Sequence, residues 1–396
     1  MDIFEKCYEF TQADDIKAQG VYPYFHALQS RPDTVVYMEG KRRIMLGSNN
    51  YLGLTVCEEV IEAGRKALDK YGTGCSGSRF LNGTLDLHLE LEEELARFLH
   101  KEDCITFSTG FQSNLGIISA IAGVHDYVIC DRENHASIYD ACRLSHARTA
   151  YFKHNDMEDL EGVLSRIDDK FGKLIVTDGV FSMSGDIANL PEIVRLAKKY
   201  GARVMVDDAH GLGTIGEGGR GTADYYGLTD DVDIYMGTFS KSLASLGGYM
   251  ASKAKVIDYV RHTSRPFIFS ASITPVSCAT ALAALRHLEK HPEIVTKLND
   301  LASYAREGFE KRGIPIIKAK TPIIPVYTYT PENTLACAKK IYEGGVYVNT
   351  VLPPATEPNA CLLRTSYMAT LTDELIDEAL DVVAKVVSES KSSAEA

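Results

Sequence analysis

Short apolar runs alternate with amphipathic stretches through the middle of the chain. Seven such runs, rich in Val, Ile or Tyr, lie between positions 104 and 252: CITFS, DYVICD, TAYFKH, KLIVTDGVF, RVMVDDAH, DIYMGTFS and GGYMAS. Runs of this length, separated by helix-like segments, are typical of buried strands joined by crossover helices. The pattern therefore predicts an α/β domain whose mainly parallel seven-stranded sheet is covered by helices on both faces.

The pattern changes towards both ends of the chain. After about position 290, the runs PIIPVYTY, GGVYVNTVLPP and CLLRTSYMA and a closing amphipathic helix predict a smaller α+β domain. We therefore expect an N-terminal segment at 1–55, a large α/β domain at 56–290 and a small α+β domain at 291–396. The polar composition of 388–396 predicts disorder.

Composition excludes several classes of function. The 396 residues are 45% hydrophobic and carry a net charge of -12, which argues against a nucleic-acid surface because phosphate binding requires clustered cations. The nine cysteines are scattered without metal-ligand spacing, so we expect free thiols in a reducing compartment and no metal site. No secretion signal or membrane-length apolar run is evident, and a cytoplasmic location is expected.

The glycines at 211, 213 and 216 have the G-x-G-x-x-G spacing of a dinucleotide-binding turn. That turn requires its first glycine at the end of a strand and a helix that opens at the third glycine. Four residues separate the apolar run from Gly211, and the continuation GEGGRG is a poor helix start. The same spacing at 72–77 follows a helix, so the glycine pattern alone gives little support for a nicotinamide dehydrogenase.

The polar residues at the ends of the predicted strands carry more information. Asp207 and His210 follow one strand and Lys241 follows the next, and open α/β sheets bind ligands at the carboxyl ends of their strands. A lysine that can form a Schiff base, an acid for a ring nitrogen and a histidine for a phenolate oxygen suit an aldehyde cofactor with a basic ring. His135, after another strand, could stack on a planar ring or cap a helix.

A phosphate site is predicted where the strand through Ser108 meets a helix that begins near Gly110. Amide groups at a helix start bind a phosphate dianion, and the helix dipole favours it by roughly 0.3 to 1 kcal/mol. Thr238 and Ser240, beside Lys241, add hydroxyl donors.

In combination, these motifs resemble the α-oxoamine synthases, pyridoxal-phosphate enzymes of the aspartate-aminotransferase fold (fold type I). The resemblance covers roughly residues 20–385 and depends on SNNYLGL, GSRFLNGT, STGFQSN, NHAS, VDDAHGLG and TFSKSLASLGGY. Within the family, the segments at 20–25 and 72–88 are most similar to bacterial members that use L-serine and palmitoyl-CoA.

The resemblance implies a role for each candidate residue. Lys241 would be the Schiff-base lysine, Asp207 the partner of the pyridine nitrogen, His210 the donor to the phenolate oxygen and His135 the stacked histidine. The remaining implied residues surround the phosphate, the ring or the substrate carboxylate: Gly110, Phe111, Thr238 and Ser240, with Ser270 and Ala271 of the partner subunit, at the phosphate; Ser182 near the ring; Asn50 and Arg364, together with the stacked His135, at the carboxylate. One departure is Leu371, where a histidine that braces the Arg364 segment is expected.

The implied reaction is the decarboxylating condensation of L-serine with palmitoyl-CoA, which gives 3-ketodihydrosphingosine, CoA and carbon dioxide. Arg79, Arg265 and Lys41 are candidates for the CoA phosphates. The resemblance also implies a homodimer with shared sites, and the long acyl product suggests peripheral contact with the inner membrane. Two alternatives remain open at this stage: a family member that uses glycine or alanine with another acyl-CoA, and a noncatalytic partner subunit that has lost the cofactor.

Overall fold

The computed structural model describes residues 1–394, which form two compact units. The large unit comprises residues 49–299 and 320–322. The small unit comprises residues 1–48, 300–319 and 323 to the end of the described chain.

The strands are β1 Val35–Met38, β2 Lys41–Met45, β3 Asp103–Phe107, β4 Asp126–Asp131, β5 Arg148–Phe152, β6 Gly172–Asp178, β7 Arg203–Asp207, β8 Ile234–Thr238, β9 Gly248–Ser252, β10 Ile323–Tyr329, β11 Val346–Tyr347, β12 Asn349–Val351 and β13 Cys361–Ser366. The helices are α1 Glu5–Tyr8, α2 Gln12–Ala18, α3 Glu58–Tyr71, α4 Asp86–Phe98, α5 Gly110–Ile121, α6 Ala136–Ser145, α7 Met157–Leu164, α8 Leu190–Tyr200, α9 Thr222–Tyr225, α10 Ala254–Thr263, α11 Arg265–Ile268, α12 Pro275–Lys290, α13 Glu293–Lys311, α14 Pro331–Glu343 and α15 Asp373–Ala394.

The seven-stranded sheet of the large unit has the order β3-β9-β8-β7-β6-β4-β5. Strand β9 runs antiparallel to both of its neighbours, and all other pairings are parallel. Each of the seven apolar runs forms one of these strands, so the prediction of a mainly parallel seven-stranded sheet is confirmed. Because the six other strands share one direction, their carboxyl ends meet at one edge of the sheet.

Apolar side chains on the strands explain why this sheet is buried. Val128, Val176 and Met205 project into one cluster with Ile117 of α5 and Ile257 of α10, and all five are fully buried. A buried side chain of this size contributes roughly 1.5 to 3 kcal/mol relative to an exposed one. Helices α5, α6 and α10 thus cover one face, as expected for crossover connections.

The small unit contains two three-stranded sheets, ordered β1-β2-β11 and β10-β13-β12, and a core shared with α13, α14 and α15. The first sheet pairs Ile44 of the N-terminal segment with Val346. Residues 1–48 therefore belong to the same unit as the C-terminal residues, whereas the sequence placed the N-terminal segment apart. The small unit begins again at residue 300, nine residues after the expected start at 291.

Helix α15 continues to Ala394, so the prediction of disorder is wrong for 388–394, and the last two positions lie outside the described residues. In residues 1–394, no helix has the length and apolarity that a bilayer crossing requires. All nine cysteines have free thiols. Among the described residues, no cluster of three or more potential His, Cys, Asp or Glu ligands is present.

Candidate active site

The glycines at 211–216 follow β7 but do not open a helix of the pyrophosphate-binding type. Asp208 accepts hydrogen bonds from the backbone N–H of Thr222 at 2.7 Å and from its hydroxyl at 2.5 Å. A Cβ at Gly211 would overlap the Asp208 carboxylate, so packing around this buried acid requires glycine. Burial raises the pKa of Asp208 to about 7. The turn is therefore braced by a buried acid, and Gly211 is explained without a nucleotide.

A cavity of about 260 Å³ lies at the carboxyl ends of β4, β6, β7 and β8 in the large unit. Its lining residues are Thr109, Gly110, Phe111, Asn114, His135, Ser137, Asp178, Val180, Asp207, Ala209, His210, Met236, Thr238, Ser240 and Lys241. Eight of the residues that the sequence singled out are therefore together: Gly110, Phe111, His135, Asp207, His210, Thr238, Ser240 and Lys241. They come from separate strand ends, as the parallel sheet predicts.

Asp207 is the last residue of β7 and is 4% exposed. One carboxylate oxygen accepts a hydrogen bond from Asn114 Nδ2 at 2.7 Å, and the other accepts one from the Ala209 backbone N–H at 3.0 Å. The same amide group of Asn114 donates to Ser137 Oγ at 2.8 Å. The carboxylate is thus fixed in orientation by a network that sequence reasoning missed, although Asn114 closes the STGFQSN motif.

Asp178 lies directly opposite Asp207 in the register of β6 and β7. Burial, followed by the charge of Asp207, raises the pKa of Asp178 well above its usual value. Its carboxyl group receives a backbone contact of 3.4 Å from His135, whereas Asp207 has two shorter donors. The protonated form of Asp178 is therefore favoured, because burial beside a second carboxylate disfavours its charged form.

His135 is the N-cap of α6, and its Nδ1 lies 2.8 Å from Ser137 Oγ. Burial lowers the pKa of His135, although the negative charge of Asp207 opposes this effect, so the imidazole is neutral at neutral pH. The Phe111 ring meets it edge-on with centroids 6.3 Å apart. The same side chain thus caps a helix and forms one wall of the cavity.

His210 is positioned by a polar contact with Tyr51. The Tyr51 hydroxyl lies 2.7 Å from His210 Nδ1, and the tyrosine is completely buried. Tyr51 belongs to the SNNYLGL motif, but its spacing from the histidine, at 159 positions, gives no sequence signal for this contact.

The start of α5 lies against the end of β8. Thr109 caps the helix and accepts a hydrogen bond from the Gln112 backbone N–H at 3.1 Å. A Cβ at Gly110 would lie 2.9 Å from Thr238, and a Cβ at Gly248 of β9 would lie 2.8 Å from the Gly110 Cα. The backbones therefore approach closely because both glycines lack side chains. The result is a helix N-terminus with the Thr238 hydroxyl beside it.

Other candidates lie outside the lining of this cavity: Asn50, Ser182, Ser270, Ala271 and Arg364. Asn50 Nδ2 donates to Thr55 Oγ1 at 2.7 Å, and the Ala271 carbonyl accepts a hydrogen bond from Ser108 Oγ of its own chain. Ser182 lies in the loop that joins Val180 to Ile187, and Val180 reaches the cavity. The roles of these residues stay predictions.

Arg364 belongs to the small unit, where it occupies the central strand β13 and is 4% exposed. It pairs with Pro325 on one side and with Asn349 on the other. Leu371 is buried in the apolar core of that unit. Two flanking strands thus brace the arginine segment, and Leu371 contributes an apolar side chain to the core.

The three residues predicted to bind the CoA phosphates lie in different environments. Arg79 is buried and makes a bidentate pair with Glu92, with N–O distances of 2.6 and 3.0 Å, so the structure assigns it to the interior. Arg265 is exposed beside Phe269, with 5.2 Å between its guanidinium carbon and the ring centroid. Lys41 lines a second cavity, in the small unit.

His154 joins two loops at the edge of the site. Its Nδ1 lies 3.1 Å from Asp131 Oδ1, and its Nε2 lies 3.4 Å from Asp186 and 3.7 Å from Glu133. Burial alone would lower the pKa of His154, but hydrogen bonds to Asp131 and Asp186 outweigh burial and raise the pKa to about 10. The imidazolium therefore ties the loop after β4 to the loop that contains Ser182.

We expect His154→Gln to lower the free energy of unfolding at neutral pH by about 2 kcal/mol, as for the loss of a hydrogen bond between charged groups. Because the folded-state pKa is raised, this stabilisation is fully present below the ordinary histidine pKa and is lost as pH rises through about 10. Urea denaturation at neutral and alkaline pH measures the difference. The exposed His125→Gln is the control, and an equal effect of both variants would contradict the ion-pair role.

Comparison with known proteins gives matches along nearly the whole chain. The family model for aminotransferase class I and II matches residues 41–383. The serine palmitoyltransferase of Sphingobacterium spiritivorum is 50% identical over 382 residues, which are 96% of each chain. The 8-amino-7-oxononanoate synthase of Thermoanaerobacter pseudethanolicus is 41% identical over 374 residues, 94% of this chain and 95% of the other. A solved structure of SPT with a PLP internal aldimine has a TM-score of 0.96 at 38% identity and covers 99% of this chain and 100% of its own.

Proposed function

We infer that this chain, which belongs to the class I and II aminotransferase family, joins L-serine to palmitoyl-CoA and releases CoA and carbon dioxide. The product is 3-ketodihydrosphingosine, and the reaction is the first step of sphingolipid synthesis. The relative from Sphingobacterium spiritivorum, named a serine palmitoyltransferase, supports this substrate pair. The observation that carries the proposal is the single cavity where Lys241, Asp207, His135 and His210 meet.

The cavity fits pyridoxal phosphate by the chemistry of its donors. Lys241 offers an amine for the aldehyde, Asp207 a fixed carboxylate for the ring nitrogen, and His210 a ring nitrogen for the phenolate oxygen. The start of α5 with Thr238 and Ser240 offers amide and hydroxyl donors for the phosphate. When bound, this cofactor supplies an aldehyde that bonds to amines and a ring that withdraws electrons from the amino-acid Cα.

The chain's own residues then divide the work of the reaction. Lys241 Nζ would take the proton from the serine Cα, and the Asp207 carboxylate would hold the ring nitrogen of the bound cofactor. His135, neutral at neutral pH, donates a hydrogen bond towards the thioester carbonyl that the serine carbon attacks. A donor placed in a water-excluded site contributes about 3 kcal/mol of transition-state stabilisation.

Substrate positioning involves residues beyond the cavity lining. We assign Asn50 and Arg364 to the serine carboxylate, since Arg364 is a buried cation on a rigid central strand. Ser270 and Ala271 would complete the phosphate site of a partner subunit in a homodimer. The long-chain product supports peripheral contact with the inner membrane, and a cytoplasmic location stays the prediction made from the sequence.

A panel of L-serine, glycine and L-alanine with several acyl-CoA thioesters tests the proposal. We expect L-serine with palmitoyl-CoA to exceed the other amino acids by at least about 10-fold in kcat/KM, because a site that binds the serine hydroxyl rejects analogues without it. Mass spectrometry of the ketone product is the readout, and Lys241→Ala is the negative control for product formation.

The same panel separates the alternatives. The 41% identity to an 8-amino-7-oxononanoate synthase favours glycine or alanine with another thioester as the second candidate. Preference for either amino acid would replace the proposed substrate. Turnover of none of the pairs would indicate a noncatalytic subunit.

A further inference from the structure

A second cavity lies within the small unit and has no part in the proposed reaction. Its volume is about 400 Å³, larger than the candidate active site, and its walls come from 20–26, 39–43 and 338–348. A volume of this size accommodates a ligand of roughly one nucleotide.

Arg43 of β2 forms the floor of this cavity and is 4% exposed. Its Nη1 donates to the Arg42 carbonyl at 2.8 Å, while its Nε has no hydrogen-bond partner. In the described part of the chain, no carboxylate lies within ion-pair distance of this guanidinium. The hydrogen bond to His26 and, to a smaller extent, the charge of Arg43 lower the pKa of Glu39, so the guanidinium has a carboxylate in the same cavity but no direct ion pair. A buried cation without a directly paired anion is costly, because its charge has lost water. The floor of the cavity is therefore suited to an anionic group.

Two exposed lysines extend this positive charge to the rim. Lys41 and Lys339 line the cavity, and a Cβ at Gly20 would lie 3.6 Å from Lys339 Nζ. Neither lysine forms an ion pair among the residues that the structure describes. Of the two carboxylates in the lining, Glu39 hydrogen-bonds to His26 at 2.8 Å, and Glu343 is the other. Cations thus outnumber carboxylates here, in a chain whose net charge is -12.

The remaining wall of the cavity is flat and aromatic. The Tyr342 ring lies between His26, with ring centroids 4.3 Å apart, and the Arg43 guanidinium carbon, 4.2 Å from the Tyr342 centroid. Tyr22 and Tyr347 complete the lining beside apolar side chains. Because His26 and Arg43 cover the Tyr342 ring, a planar ligand ring would pack against Tyr22 and Tyr347.

We propose that this cavity binds a nucleoside phosphate, with its phosphate held by Arg43, Lys41 and Lys339 and its base against the aromatic wall. The ligand has two sources with the same chemistry: a free nucleotide, or the adenosine phosphate part of a CoA molecule. The site is separate from the cavity that contains Lys241, since no residue lines both.

Isothermal titration of the cofactor-loaded protein with adenosine 3′,5′-bisphosphate tests the proposal. We expect saturable binding that weakens at least about 10-fold in the Lys41→Ala/Lys339→Ala double variant, because two phosphate contacts are lost. The matched control is Lys311→Ala/Lys385→Ala, which removes the same charge from exposed positions of the small unit and leaves binding unchanged. Arg43→Met tests the floor, and the rim variants remain informative if it does not fold.

The outcomes distinguish a free nucleotide from the CoA nucleotide. They also distinguish failure of this binding site from failure of the proposed condensation. Titration with coenzyme A that is weakened by the same double variant identifies the CoA nucleotide as the ligand, whereas binding of the bisphosphate alone identifies a free nucleotide. No binding of the bisphosphate, or binding that the double variant leaves unchanged, would overturn the proposal. The titration measures binding and not turnover, so its result does not depend on the proposed condensation.

Discussion

Replacing Lys241 with alanine is expected to reduce turnover by about 10³-fold or more, because the substitution removes both the amine that bonds to the cofactor and the base that takes the serine proton. In the wild-type protein, borohydride should fix the cofactor permanently to the chain, since it reduces the bond between Lys241 Nζ and the aldehyde carbon. In Lys241→Ala, the added mass should be absent, and the cofactor should be removable by dialysis.

A matched variant controls for the loss of a lysine charge. Lys253 is exposed and immediately precedes α10 of the large unit, and Lys253→Ala should keep both the borohydride adduct and turnover. Thermal melting of both apo-proteins should show no large loss of stability, because Lys241 is only partly buried. A permanent adduct in Lys241→Ala would place the cofactor bond on another residue and would refute the assignment.

Asp207→Ala and Asp207→Asn are expected to retain the fold and to lose about 10²- to 10³-fold in turnover, the range seen when one preorganised electrostatic contact is removed from a dry site. The asparagine keeps the shape and the contact with Asn114, but a neutral amide cannot stabilise a protonated ring nitrogen. Both variants should therefore lose activity to a similar extent.

Fluorescence titration of the apo-proteins with pyridoxal phosphate gives an independent readout. We expect weaker binding in both Asp207 variants and unchanged binding in Asp230→Asn, an exposed acid in the same unit. If Asp207→Asn kept near wild-type turnover and affinity, the carboxylate would have no electrostatic role, and the proposed use of the cofactor ring would be contradicted.

The parts of the site that could be predicted are those fixed by strand direction. Asp207, Lys241 and His135 follow three different apolar runs, and parallel pairing necessarily brings the ends of those runs to one edge. Local spacing also argued correctly against a dinucleotide-binding turn at the glycines of 211–216. The structure explains Gly211 by its contact with Asp208.

The contacts that could not be predicted join residues far apart in the sequence. Asn114 and Asp207 are 93 positions apart, and Tyr51 and His210 are 159 apart, so no periodic pattern links them. The pairing of Ile44 with Val346 is equally remote, and it explains why the N-terminal segment could not be assigned to the small unit. Side-chain networks of this kind depend on the packed geometry and not on local propensity.

The close approach of Gly110 to its neighbours has a consequence for how the pocket acquires its ligand. The start of α5 packs against the Thr238 side chain and the Gly248 backbone, so the directions of its amide groups are fixed by these contacts. A binding site that is already rigid before its ligand binds loses little conformational entropy on association. Empty and loaded forms should therefore superimpose closely at this turn, whereas its amide hydrogens, which have no partner within the helix, should exchange more slowly once a phosphate is bound.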